Sequence, residues 1–177
     1  MLSHLSIKNY ATVKTLEMEF QPGMSVLTGE TGAGKSVILG ALGFTLGDRA
    51  DKTIVRPGAS RADISAEFDL SLIESARLWL QANDLKSETD ENLCMLRRVV
   101  NEDGRSRGYI NGSPVTMTNL KQLGEMLIDI HSQHEHQSLL QRSTHQRLLD
   151  DFGLDQKLRN NLFSTWKQWQ HNHQQLQ

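Results

Sequence analysis

Eight residues constrain this chain more than any others. Gly29-Glu30-Thr31-Gly32-Ala33-Gly34-Lys35-Ser36 matches the spacing G-x-x-x-x-G-K-[ST] and stands between two apolar runs. Met24-Ser25-Val26-Leu27-Thr28 before it reads as a short buried strand. Ser36 to Leu46 after it reads as a buried helix despite Gly40 and Gly43, with Gly47-Asp48 as its stop. That strand-loop-helix context gives the motif its meaning. Glycines let the backbone curl until successive N–H groups converge on one point, and the following helix adds the positive end of its dipole. Such a loop holds phosphate. Lys35 supplies a point charge for the β- and γ-phosphates of a nucleotide, and the Ser36 hydroxyl is placed to ligate Mg2+.

The rest of the chain reads as short strands interleaved with helices. Residues 1–28 precede the loop, more than a small-molecule kinase usually places there. They carry two strand-like segments, one with Leu5 and Ile7 and one with Val13, Leu16, Met18 and Phe20, on either side of Asn9-Tyr10-Ala11-Thr12. Ala62 to Leu70 alternates, with Ile64, Ala66, Phe68 and Leu70 on one face of a half-buried strand. Ser71-Leu72-Ile73-Glu74 is a capping box for a helix to about Asn83. Leu93 to Val100 and Gly108 to Asn111 form a hairpin around Asn101-Glu102-Asp103-Gly104, and Asn111-Gly112 makes a second tight turn. Thr118 caps a helix to about Ile130, and another covers Thr144 to Phe152. Beyond Gly153, Leu154, Leu158, Leu162, Trp166, Trp169 and Leu176 fall on one helical stripe in a glutamine-rich background. That stripe either packs on the domain as a terminal helix or opens a coiled coil.

Composition removes several classes. At 177 residues, with 37% hydrophobic and 23% charged residues, the chain is neither disordered nor a membrane span, and no membrane partner is expected. Its N-terminus lacks the basic and apolar regions of a secretory leader. Cys94 is the single cysteine, which excludes an intrachain disulfide and a CxxC zinc site and makes a reducing cytoplasm the default. A net charge of −2 means that any nucleic-acid role needs a local patch. Arg97, Arg98, Arg105 and Arg107 outnumber Glu102 and Asp103 on the hairpin. With Arg49, Lys52, Arg56 and Arg61 they form either a surface for a phosphodiester backbone or a solvated hairpin and loop. His131, His134 and His136, even with His145, have spacings that suit zinc poorly.

One part is missing. A phosphate-loop hydrolase needs an acid after an apolar strand to hold Mg2+ and polarise water. Met126-Leu127-Ile128-Asp129 only imitates it, in a stretch that reads as helix, and no Ser-Gly-Gly signature follows anywhere. A self-contained kinase or NTPase would have to use Asp129. A non-enzymatic module that ATP orders, and whose terminal helix recruits a partner, is a third reading.

Taken together, the opening Leu-x-Ile-Lys-Asn-Tyr, the loop Gly29 to Ser36, Leu96-Arg97-Arg98-Val99-Val100, Gly104-Arg105-Ser106-Arg107-Gly108-Tyr109-Ile110-Asn111-Gly112 and Ile130-His131-Ser132-Gln133-His134-Glu135-His136-Gln137 resemble the N-terminal part of bacterial DNA-repair members of the SMC-like branch of the ABC ATPases. The resemblance runs to about Phe152 and departs at Ser132, where the family has Gly. It implies an α/β P-loop head, N-terminal half, with an antiparallel β portion: residues 1–153 form the half-head and 154–177 start a coiled-coil arm. The signature, catalytic acid and switch histidine then belong to a C-terminal half beyond the arm, so the chain looks like an N-terminal piece. Gln133 becomes the Q-loop residue that contacts Mg2+ and the attacking water, with Gln137 its neighbouring competitor, and Asn9 and Tyr10 lie near the adenine. The implied cofactors are ATP and Mg2+. The implied partners are the missing half, a second head in an ATP-engaged homodimer, DNA and the recombination machinery. The implied setting is cytoplasmic and nucleoid-associated, in repair of DNA double-strand breaks.

Overall fold

The computed structural model describes residues 1–29, 34–49, 54–128, 130, 145, 149–150 and 152–175. The chain divides into two compact units, Met1–Ile130 and His131–Gln177.

In the first unit, the alternation of apolar and polar residues is realised as strands β1 (Leu2–Tyr10), β2 (Val13–Glu19), β3 (Arg61–Asp69), β4 (Leu93–Asn101), β5 (Ser106–Ile110) and β6 (Ser113–Val115). Among the described residues these form one antiparallel sheet in the order β2-β1-β3-β4-β5-β6. One face carries Leu5, Ile7, Ala62, Ile64, Ala66, Phe68, Leu96, Val100 and Ile110, all fully buried. Cys94 lies on this face too, where burial pushes its thiol up to about 12 and leaves it an inert core group. Helix α1 (Lys35–Thr45) lies across β1, β3 and β4, and α3 (Met117–Leu127) packs on β5 and on α2 (Glu74–Ala82). The two glycines inside α1 have a packing reason. A methyl at Gly40 would meet the Tyr10 hydroxyl at 3.0 Å, and one at Gly43 would meet the Asp48 carboxylate at 2.5 Å.

The opposite face is polar and cross-linked. Arg97 on β4 grips Asp63 on β3 through two charge-assisted bonds, Nε to Oδ1 at 2.8 Å and Nη2 to Oδ2 at 2.6 Å. That bidentate contact holds the Asp63 carboxyl below the usual carboxylate range, so its stabilising contribution is complete above the unfolded-state pKa and disappears as pH falls through the folded one. Asp63→Asn is expected to cost about 0.5–1 kcal/mol at pH 7, discounted because Arg97 is partly exposed, and progressively less as pH falls below the unfolded carboxylate range and Asp63 takes up its proton. Urea midpoints measured across that fall in pH check this.

Turn chemistry fixes the connections. Asn111 (φ 48°) and Gly112 (φ 83°) make the expected tight turn between β5 and β6, and the Asn111 side chain accepts from Met95 N and donates to the Leu85 carbonyl, both at 2.8 Å. Where β1 gives way to β2, Asn9 (φ 54°) near the end of β1 and Ala11 (φ 49°) in the turn are both left-handed. Asn tolerates that region and Ala does not. Ala11→Gly should therefore stabilise the chain by about 0.5–1 kcal/mol, seen as a higher urea midpoint at unchanged slope.

Three sequence expectations are corrected. Met24 to Thr28 is neither a strand nor buried: Met24 is 96% and Val26 80% exposed, because no described strand lies beside the segment to complete a ladder. Ser71 does not cap α2. Its amide is taken by Asp69 Oδ1 at 2.8 Å, and the helix starts at Glu74 after the uncapped Ile73. Thr116 rather than Thr118 caps α3, its hydroxyl accepting from Asn119 N at 3.2 Å, and the helix stops at Leu127 with Ile128 extended. Asp129 and most of the expected helix from Thr144 to Phe152 lie outside the described residues.

In the second unit, α4 (Gln156–Gln175) realises the amphipathic stretch. Leu158, Leu162, Phe163, Trp166 and Trp169 are exposed along it. Phe163 stacks on Trp166, and Trp169 on His173. No described helix is long and apolar enough to cross a membrane.

Candidate functional site

The first turn of α1 is where the motif's chemistry meets the fold. Gly34 sits at the N-cap with φ 95° and ψ −5°, a conformation that a side chain would strain, and space lies open where its Cβ would be. Its carbonyl accepts the Ile38 amide at 3.0 Å, so the helix begins at once and its leading N–H groups face the loop. Lys35 and Ser36 occupy the first turn, and Lys35 Nζ donates to the Gly29 carbonyl, bringing the two ends of the octapeptide together. Gly29, Gly34, Lys35 and Ser36 are thus drawn together at the N-terminus of α1. Glu30, Thr31, Gly32 and Ala33 lie outside the described residues.

The residues fit the group they imply. A helix N-terminus with a left-handed glycine in front of it, a lysine and a hydroxyl suits a polyphosphate, and Ser36 is exposed for a hard cation held jointly with phosphate oxygens. Among the described residues no cluster of His, Cys, Asp or Glu could hold a metal by itself. Gln133 and Gln137, like His131, His134 and His136, fall outside them.

Support for the cradle comes from the other end of α1. The helix ends on Gly47, whose N–H meets the Phe44 carbonyl at 3.3 Å while Asp48 N–H reaches Gly43 O at 3.2 Å, the paired bonds of a glycine-closed C-terminus. Tyr10 packs its ring 6.4 Å from Phe44, and burial, with the Asp48 charge, raises its pKa. Arg98 comes up from β4 into the same cluster.

That placement corrects one DNA expectation: Arg98 is 2% exposed, aimed into the core by its register with Cys94, Leu96 and Val100, and meets no phosphodiester. The remaining basic candidates are at the surface. Arg105 stands at the hairpin tip 3.4 Å from Asp103, and Arg107 is exposed on β5. Arg49 is exposed beyond α1, while the Arg56 guanidinium donates to the Thr12 carbonyl at the β1–β2 turn. Glu102 N bonds Ser60 O at 3.0 Å, which brings the hairpin tip against the segment that follows Arg56. Lys52 lies outside the described residues. Sequence reasoning missed the cluster of Tyr10, Phe44, Asp48, Arg98 and Ser106. Its signal was present, since Arg98 occupies an inward position of an alternating strand.

Comparison with known proteins bears on this geometry. The model of the RecF/RecN/SMC N terminal domain matches residues 1–132. The DNA repair protein RecN of Xylella fastidiosa is 48% identical over 96% of this chain and 30% of its own length. RecN of Vibrio cholerae is 46% identical over 86% of this chain and 27% of its own, and that of Bacillus subtilis 40% over 86% and 26%. The chain therefore spans less than a third of these curated relatives. Among solved structures, an SMC ATPase from work on ATP-driven dimerization and DNA stimulated activation superposes with a TM-score of 0.60 at 22% identity, over 85% of this chain and 97% of that one. The SMC head domain from Thermotoga maritima gives 0.51 at 19% identity, over 68% and 41%. At these identities the likeness is one of fold, and the fold is that of the N-terminal half of an SMC-type head.

Proposed function

The chain belongs to the RecF/RecN/SMC N-terminal domain family, and from that premise we propose that it is the ATP-binding N-terminal part of an SMC-like DNA-repair ATPase acting in recombinational repair of double-strand breaks. The observation that carries the reading is the first turn of α1, where Gly34, Lys35 and Ser36 are arranged for a triphosphate. Lys35 neutralises phosphate charge, the loop amides orient the phosphates, and Ser36 with Gln133 holds Mg2+. Bound Mg-ATP supplies the phosphoryl bond whose hydrolysis reopens an engaged pair of heads. In this reading residues 1–153 form the half-head and 154–177 begin its coiled-coil arm. The setting is the cytoplasm, at the nucleoid, beside DNA and the recombination machinery.

The remaining half of the head is the first partner. The exposed apolar segment Met24 to Leu27 leads directly into the phosphate loop, and Leu39 on α1 is 48% exposed. An exposed apolar run that joins no strand among the described residues, beside the site, suits strands donated by the rest of the head. Arg105 and Arg107, with Arg49, Lys52 and Arg56, remain the proposed DNA contacts. A self-contained kinase built on Asp129 is not favoured, since residues 1–132 as a whole follow the family.

Steady-state hydrolysis by the purified chain, measured beside equilibrium Mg-ATP binding, tests the reading. Binding that requires Lys35, without turnover, is expected. Turnover abolished by both Lys35→Ala and Asp129→Ala overturns it in favour of a complete small NTPase.

A further inference from the structure

Burying a cation is expensive unless it is bonded and paired, and an apolar side chain would fill the same space more cheaply. Arg98 is nevertheless buried to 2% on the core face of β4. Its bonds show what the guanidinium does there. Nε donates to Ser106 Oγ on β5 at 2.6 Å, Nη1 donates to the Phe44 carbonyl at 3.4 Å, and the guanidinium carbon lies 4.3 Å from the Phe44 ring centroid. Burial pushes its pKa down to about 10, against the pull of the Asp48 charge, so it is still a cation at neutral pH. Phe44 lies in the last turn of α1, at the negative end of the helix dipole. Arg98 therefore binds the C-terminal end of the helix whose first residue is Lys35.

That helix is held most firmly at its C-terminal end. Ala41, Leu42, Gly43, Phe44 and Thr45 are buried, whereas towards Lys35 only Val37 and Ile38 are half-buried against the core and Ser36, Leu39 and Gly40 are exposed. From Phe44 back to Lys35 is about 13 Å of helix, so a tilt of about 5° at the anchored end moves Lys35 by roughly 1 Å. A displacement of that size is enough to spoil an oriented electrostatic contact.

We propose that Arg98 is a positioning residue of the phosphate site: bonded to Ser106 and Phe44, it clamps the root of α1 so that Lys35 and Ser36 meet the phosphates. The proposal rests on the nucleotide-binding reading above. A residue that only stabilised the core would change how much protein is folded and leave the affinity of the folded protein alone.

The test is equilibrium binding of Mg-ATP and, separately, of inorganic tripolyphosphate to the 177-residue chain. The wild type, Lys35→Ala, Arg98→Met, Arg98→Lys and Ser106→Ala are compared at a temperature where circular dichroism shows each fully folded. Arg98→Met is expected to weaken both ligands by about tenfold, and Ser106→Ala by several-fold. Arg98→Lys should recover part of the loss, because an ammonium keeps a charge-assisted bond to the Phe44 carbonyl. Folded Arg98→Met and Ser106→Ala binding both ligands as the wild type does overturn the proposal; if Arg98→Met does not fold, Ser106→Ala decides alone. A wild type that binds neither ligand, or binding that survives in Lys35→Ala, overturns the underlying nucleotide reading and this inference with it.

Discussion

Lys35→Ala lowers the affinity of this chain for Mg-ATP by roughly ten- to a hundredfold and leaves its folding almost untouched. The size follows from the bond between ammonium and phosphate that alanine cannot make, since a hydrogen bond to a charged group is worth about 1.5–3 kcal/mol and each factor of ten in affinity is about 1.4 kcal/mol. Lys35 is the first residue of α1, and its ammonium is tied to the Gly29 carbonyl across the loop. The substitution removes the one side-chain charge in the first turn while keeping the backbone that forms the cradle, as alanine is a better helix former than lysine. Folding should move by no more than about 0.5 kcal/mol, the usual range for a surface change. Titration calorimetry with ATP and with adenosine separates the effects: the triphosphate loses its affinity and the nucleoside does not. Equal ATP affinity in the two proteins would place the phosphate elsewhere.

How far the sequence foretold this arrangement depends on where each residue finds its partner. β3 was legible because Ala62, Ile64, Ala66 and Phe68 alternate against a core made by the same chain, and the structure shifts its bounds from Ala62–Leu70 by one residue at each end, to Arg61–Asp69. The Asn111-Gly112 turn was legible because its chemistry is local: both residues must take positive φ, and both do. Met24 to Thr28 has a strand's composition, but a strand is made by its neighbours, and none of the described residues provides one. The cap at Thr116 and the missed cap at Ser71 differ from expectation because several polar side chains compete for the same few amides. Asp69 reached the Ser71 amide first. At the site, the glycine-lysine-serine pattern led directly to a helix that starts at Lys35 behind a left-handed Gly34, since that geometry is written into consecutive residues. Its support was harder to see. Phe44 is 54 residues from Arg98 in sequence, and an arginine in a hairpin already rich in arginine looks like a surface residue until the inward register of Leu96 and Val100 is followed through it.

Gly47→Ala destabilises the N-terminal unit by about 3 kcal/mol, the sum of a backbone cost of roughly 1–2 and an overpacking cost of roughly 1–3. Gly47 closes α1 at φ 108°, a region an alanine enters only under strain. Its side-chain direction is also blocked: a methyl there would lie 3.0 Å from the Lys121 nitrogen and 3.2 Å from the Lys121 Cα, so the obstacle is the backbone of α3 and cannot rotate away. The neighbouring approach is equally close, since a methyl at Gly124 would meet Leu46 Cβ at 3.0 Å, and the two helices therefore cannot simply slide apart by one residue's width. Gly58→Ala provides the comparison. Its φ of 83° carries a similar backbone cost, but space around it is open, so it should lose only about 1 kcal/mol. Urea unfolding of the three proteins reads the difference, and equal losses would mean that the α1–α3 approach is looser than the structure shows. Total stability is about 5–15 kcal/mol for a domain, so the stronger substitution removes a sizeable share of it. Because the displacement forced at position 47 falls beside the Phe44 carbonyl that Arg98 holds, Gly47→Ala should also weaken Mg-ATP binding in the folded protein, while Gly58→Ala should not.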